Sequence, residues 1–152
     1  YNRVPVLDEY DGVFEGRVQK KNGWQEFMFD GMKTLRHLCI DIQRTYDGKS
    51  SSIAEIELLD ENGRAIGKRK WNIVHTNTET SGDGVAEKMI DGDEATAWHS
   101  AKENAKDMPH QIIVDLGNIR TVKGFRIFVS DKDNGCIKDF RLYGRPQFFL
   151  YE

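Results

Sequence analysis

No apolar run in this chain approaches the roughly 20 residues that a membrane-spanning helix needs, so a helical membrane span is excluded. A basic stripe is missing too: 22 Lys and Arg are scattered among 25 Asp and Glu, for a net charge of −3. Nothing in that pattern is suited to neutralising a row of phosphates, so nucleic acid is not an expected partner. Cysteine is nearly absent. Cys39 falls in an apolar run and Cys136 follows a glycine, with no CxxC or His spacing near either. Two buried free thiols are expected in preference to a disulfide, and they say almost nothing of compartment. The opening residues, Tyr1-Asn2-Arg3-Val4, carry neither a charged-then-apolar leader nor an initiator Met, as expected of a piece of a longer protein.

Helical periodicity is also scarce. What the 152 residues do contain is a 38% apolar and 31% charged composition, which suits one globular core and not a disordered chain. Short runs rich in β-branched and aromatic residues recur at Trp24–Phe29, Leu35–Ile42, Ile53–Leu59, Trp71–His75, Gln111–Leu116, Thr121–Val129 and Ile137–Tyr143. Between them stand Asn22-Gly23, Asp30-Gly31, Asp47-Gly48, Asn62-Gly63, Gly117-Asn118 and Asn134-Gly135, residues that tolerate a positive φ. The pattern predicts an all-β, many-stranded antiparallel sandwich, with one or two helical turns at Gly84–Ile90 and a last strand at Phe148-Phe149-Leu150.

Catalytic motifs are missing as well. There is no HExxH, no phosphate loop and no nucleophile elbow. Glycoside hydrolysis needs two carboxylates about 5 to 9 Å apart, and no motif singles out such a pair among the 25 acids. An enzyme is the least favoured reading.

The chemistry concentrates in Asp91-Gly92-Asp93-Glu94-Ala95-Thr96-Ala97-Trp98-His99-Ser100. Asp91, Asp93 and Thr96 are close enough to aim two carboxylates and a hydroxyl or carbonyl at one point, as a hard cation requires. An EF-hand is excluded, because Thr96 stands at the sixth position and Lys102 at the twelfth. The alternative is an Asx-turn in which Asp91 caps local N–H groups. Trp98 reads as a core residue plugging the end of the sandwich. A lone His99 is either a satisfied structural residue or a binding group, while His110, after Pro109, reads as structural.

Taken together, Ile53-Ala54-Glu55-Ile56-Glu57-Leu58, Trp71-Asn72-Ile73, the segment from Ile90 to Ser100, Pro109–Gly117, Val122-Lys123-Gly124-Phe125 and Asn134–Phe140 resemble the coagulation factor V/VIII type C, or discoidin-like, domains. The nearest likeness is to family 32 carbohydrate-binding modules of bacterial glycoside hydrolases and chitobiase-like proteins. The AEIEL strand usually closes that domain, whereas here it precedes the WNI strand that usually opens it. A circular permutation within one domain of residues 1–152 is the simplest account, residues 10–66 supplying strands that usually come last and 71–152 those that usually come first. The other account gives the N-terminal third to a preceding module.

The resemblance implies a galactose-binding-domain-like jelly-roll sandwich with a structural Ca²⁺. Its ligands, carried over, are Asp91, Asp93, Thr96 and Glu55, with backbone carbonyls near Lys88 and Ala54. It also implies a sugar site at neighbouring loop tips, where His99 and Asn134 match the family's His and Asn. No Arg stands at the expected position, where Lys132 supplies a point donor, and Tyr46 is the candidate stacking ring. Tyr46 and Asn134 are otherwise ordinary turn residues. The expected function is a non-catalytic module that targets an attached glycoside hydrolase to galactose- or N-acetylhexosamine-type glycans, in a secreted, periplasmic or cell-surface setting. The alternative is a structural or protein-contact domain that has abandoned sugar binding.

Overall fold

A computed structural model describes residues 10–130 and 135–146, so the strand expected at Phe148-Phe149-Leu150 lies outside the described residues. Among the described residues eight strands run in chain order: β1 Asp11–Arg17, β2 Gly23–Thr45, β3 Ser52–Ile53, β4 Glu55–Leu59, β5 Asn72–Thr76, β6 Trp98–His99, β7 His110–Val129 and β8 Ile137–Arg145. A 3-10 helix, Ala86–Ile90, sits where a helical turn was expected. All named pairings are antiparallel, and the fold is an all-β sandwich.

Two expected turns are not turns. Asp30-Gly31 falls inside the 23-residue β2, and Gly117-Asn118 inside the 20-residue β7. Both strands instead take register shifts there, between Met28 and Lys33 and between Leu35 and His37. A bulge bends a strand without ending it, and the bends carry β2 and β7 from one layer into the other. The first half of β2 pairs with the second half of β7, which β4 flanks through Glu55↔Phe128 to Leu59↔Gly124. The second half of β2 pairs with the first half of β7, and β8, β1 and β5 complete that layer. Glycine is needed at the second bend. Gly117 has a φ of 81°, and a Cβ there would stand 2.7 Å from the Cβ and 2.8 Å from the carbonyl oxygen of Lys70.

Strands from before and after residue 66 alternate along the main sheet, in the order β1-β8-β2-β7-β4. One core joins them, with Leu38, Ile40, Ile56 and Leu58 packed among Ile112, Phe125, Ile127 and Phe140. Phe27 and Phe125, paired in one layer, meet Phe140 of the other at ring centroid distances of 5.1 and 5.7 Å. Contacts of this kind add about 0.5–1.5 kcal/mol each beyond area burial. Successive residues Leu38, Cys39 and Ile40 are all fully buried because the strand is covered on both faces: Cys39 turns away from the main core into a smaller cluster with Tyr10 and Ile113. Cys39 and Cys136 are free and buried, and burial pushes the Cys39 thiol up.

Strand β1 escaped sequence reading because its DGVFEGR alternates weakly and only half-buries. It is an edge strand held on β8, with Phe14 packed against Phe27, Phe29 and Phe140. Met108, an apolar loop residue, packs partly buried against the core.

Candidate functional site

The 3-10 helix hands the chain to the 91–96 loop, and β4 brings Glu55 beneath it. Asp91 and Asp93 both form Asx-turns, as the plainer reading expected: Asp91 Oδ1 accepts from the Asp93 N–H at 2.9 Å, and Asp93 Oδ1 accepts from the Ala95 N–H at 2.8 Å. The Thr96 hydroxyl then donates to Asp91 Oδ2 at 2.5 Å, with the Asp93 carbonyl at 3.1 Å and the Lys88 carbonyl at 3.5 Å. One proton is shared among three acceptors, so oxygen density converges here without enough hydrogens to match it. Among the described residues no three His, Cys, Asp or Glu side chains gather as a metal group. A cation would therefore rely on Asp91, the hydroxyl and the carbonyls, which is chemistry that hard cations accept.

Glu55 is 1% exposed and accepts the Gly92 N–H at 3.1 and 3.2 Å. The Lys68 ammonium pairs with the same carboxylate and also donates to the Ile56 carbonyl at 3.1 Å. Burial pushes the Glu55 carboxyl up to about 7 although Lys68 opposes it, and a hydrogen bond with Asp91 pushes the same way. The Asp91 carboxyl is raised by burial too, but the Thr96 hydroxyl and the Asp93 N–H outweigh this and hold it low. Lys68 therefore brings a positive charge of the chain's own to the edge of the candidate cation site. Its role was not legible in the sequence, where it is one more lysine in a basic loop. Ala54, the remaining candidate, is buried beside Glu55 with its N–H on the Phe128 carbonyl.

Strand β6 pairs with β3 through Ser52↔His99 and Ile53↔Trp98, and this sets the two rings on opposite sides. Trp98 is fully buried and its indole N–H donates to the Thr78 carbonyl at 2.9 Å, which makes it core, as expected. His99 faces outward into a cavity of about 620 Å³ whose polar lining includes Thr80, Ser81, Asp83, Lys88, Thr96 and Lys102. Its backbone is pinned by the Gly84 carbonyl and the Thr80 N–H, while its imidazole has no hydrogen-bond partner among the described residues. Thr96 belongs both to this cavity and to the oxygen-rich loop, so the two features share a wall.

The other sequence candidates do not gather there. Tyr46 lies elsewhere: its hydroxyl donates to the Val18 carbonyl at 2.7 Å, its ring carries the Lys138 ammonium 5.5 Å from the centroid, and it does not line the cavity. Asn134 and Lys132 lie outside the described residues. His110 is buried and engaged at both ring nitrogens, by Ser51 at 2.7 Å and the Lys106 carbonyl at 2.8 Å, which is a structural role. Lys88 and Lys102, which flank the imidazole, were not singled out as sugar contacts from sequence. No motif marks them, and only the fold of the 80–102 segment brings them together.

The structure is thus an antiparallel β-sandwich with a polar cavity beside an oxygen-rich loop. Residues 73–147, just under half of the chain, match the family model of the F5/8 type C domain, a non-catalytic type of binding module. Over 107 residues the chain is 29% identical to a sialidase of Micromonospora viridifaciens. That match covers 66% of this chain and 16% of the sialidase, so the chain spans only a small part of its relative's length. No helix among the described residues is long and apolar enough to cross a membrane.

Proposed function

We propose that this chain is a carbohydrate-binding module that holds a larger glycoside hydrolase, exported from the cell, at galactose- or N-acetylhexosamine-type glycans. The observation that carries this reading is the unengaged His99 imidazole facing a cavity whose size suits a small ligand. A weakly binding module acts by raising the local concentration of substrate at the attached enzyme, not by chemistry. Support for a parent hydrolase comes from the likeness to a sialidase, of which the aligned part is a minor share. Calorimetry with galactosides and N-acetylhexosamines, on the native chain and on His99→Ala, tests the reading: binding that the substitution abolishes upholds it, and absence of binding by the native chain overturns it.

A second reading, a structural or protein-contact domain, is favoured by one observation. Tyr46 is committed to Val18, and among the described residues no Phe, Tyr or Trp lines the cavity. The same titration separates the two.

Within the leading reading, a Ca²⁺ held by Asp91, Thr96 and the carbonyls of Lys88 and Asp93, with Glu55 and the neighbourhood of Ala54 behind, stiffens the wall that the loop and the cavity share. Supporting this is the surplus of oxygens over protons around Thr96. Chelation is expected to lower the melting temperature by several degrees, and an unchanged melt rejects the site. We also take residues 1–152 as one permuted domain, in keeping with the alternation of early and late strands in one sheet. Cutting at 66–71 without losing either half from the complex, and finding neither half folded alone, is the expected result.

A further inference from the structure

We propose that the cavity at His99 selects an acidic sugar, one bearing a carboxylate or a sulfate, over a neutral one. This rests on the carbohydrate-binding reading above and names the ligand class of the same site. The cavity brings Lys88, His99 and Lys102 around one concave surface against one acid, Asp83. Neither lysine forms an ion pair among the described residues, although Lys88 is near enough to Asp91 to help hold that carboxyl low.

Other concave surfaces carry cations too, among them a smaller one of about 220 Å³ at Arg69, Lys70 and Arg120, which offers no sugar-facing hydroxyl or carboxylate among the described residues, and a larger groove. The groove lined by Arg17, Arg44 and Arg141 is the obvious rival for an anion. There, however, Asp139 lies 2.8 Å from Arg17 and 3.1 Å from Arg44, and Glu15 lies 2.8 Å from Arg141. Those guanidiniums are already neutralised, and an incoming anion would have to displace the chain's own carboxylates. Among the described residues the ammonium groups at the His99 cavity form no such ion pair, Asp83 being the one acid in the lining.

The rest of the lining points the same way. A neutral pyranose is commonly held by a ring stacked on its apolar face, yet among the described residues no Phe, Tyr or Trp lines this cavity. The methyl groups of Ala95 and Ala97 offer only a small apolar floor. Hydroxyls of Thr80 and Ser81 and the Asp83 carboxylate can meet sugar hydroxyls, but they add no charge preference for a neutral ligand. Discrimination then falls to two flexible ammonium groups and an imidazole donor, which favour an anionic substituent through charge and hydrogen bonding. Because Lys102 is exposed, the preference should weaken as salt screens it.

The test is a titration followed by amide NMR shifts, using a galacturonate oligosaccharide, a sulfated galactoside, neutral galactose and an N-acetylhexosamine, each at low and at high salt. Expected are shifts confined to Thr80, Ala97, His99 and their neighbours, with at least one acidic ligand about tenfold tighter than its neutral counterpart. Lys102→Glu should erase that preference, its exposed position leaving the fold intact, and high salt should reduce it. The carboxylate and sulfate arms tell which anion is read. Neutral sugars bound at His99 as tightly as acidic ones, or a preference that survives Lys102→Glu, overturns this inference and leaves carbohydrate binding standing. No shift with any of the four overturns both.

Discussion

The indole N–H of Trp24 donates a 2.9 Å hydrogen bond to the carboxylate of Glu94, joining residues 70 apart in sequence. The Arg126 guanidinium lies 4.5 Å from the centroid of the same indole and pairs with Glu57 at 2.6 Å. The 91–96 loop is thus latched to β2, far from its own strand neighbours. A loop that walls a cavity gains rigidity from a contact of this kind, whatever its net energy.

Cutting this latch should cost little stability and much order. Glu94→Ala, which removes the acceptor, is expected to lower stability by about 0.5–1 kcal/mol, since the pair is solvent-exposed and its exchange with water is easy. Trp24 is part-exposed while Trp98 is buried, so quenching by iodide should rise for the mutant through Trp24 alone. A Trp24→Phe background that leaves the Glu94→Ala effect on quenching unchanged would refute the latch.

Lys68 and Glu55 should behave as a buried pair in which one partner cannot be removed alone. Their side chains are 15% and 2% exposed. Lys68→Met leaves the carboxylate facing Asp91 without its cation, and a loss of about 3 kcal/mol is expected from urea melts. Adding Glu55→Gln should recover part of it. If a cation binds beside Asp91, Lys68→Met should also make the melt more responsive to added Ca²⁺ than in the native chain.

Gly117→Ala should be costlier than Gly48→Ala. Both glycines have positive φ, 81° and 76°, so both substitutions carry the same backbone strain of about 1 kcal/mol. At Gly48 no atom lies within 4 Å of the new methyl, whereas at Gly117 the Lys70 backbone lies 2.8 Å away. An extra loss of about 1–3 kcal/mol is expected at Gly117. Equal melting temperatures for the two variants would show that β7 and the Lys70 segment part easily.

The contribution of His37 to stability should fall as pH drops below about 6.5, the unperturbed imidazole value, while Glu55, raised to about 7, changes stability in the opposite sense over the same window. His37 is fully buried, and burial lowers its pKa, with Arg145 and Arg36 acting in the same direction and Asp115 against it. Its Nδ1 lies 3.3 Å from the Tyr10 hydroxyl and its Nε2 lies 3.9 Å from Asp115. Since the folded pKa is the lower one, its contribution is complete above the unfolded value and is lost as pH falls through the folded value. His75, lowered by burial, adds to the same window. Melts of His37→Gln should be flatter than native between about pH 6.5 and 4.5, before the carboxylates held low, such as Asp115, begin to titrate.

Much of the sandwich was legible in the sequence because burial writes itself into residue type. The runs at Ile53–Leu59 and Gln111–Leu116 are apolar on account of the layers that cover them, and Trp98 is an indole in a place with no water. The oxygen-rich loop was legible for a related reason: Asx-turn residues and a hydroxyl are local, and Asp91, Asp93 and Thr96 find one another within six positions. Bends were not legible. Asp30-Gly31 and Gly117-Asn118 look like turns, since a bulge and a turn ask the same freedom of φ, and only cross-strand pairing decides that β2 and β7 run on through them.

The site divides in the same way. The sequence by itself determined an all-β chain, a loop with converging oxygens, a core tryptophan and a histidine on the other side of its strand. Only the tertiary structure decided that Tyr46 is spent on Val18, that Lys68 reaches Glu55, that Trp24 holds Glu94, and that Lys88 and Lys102 flank His99. Each of these depends on where a long side chain ends after the strands have paired. Spacing along the chain fixes which face a residue takes, but the partner at the end of a flexible or distant side chain is set by packing across the fold.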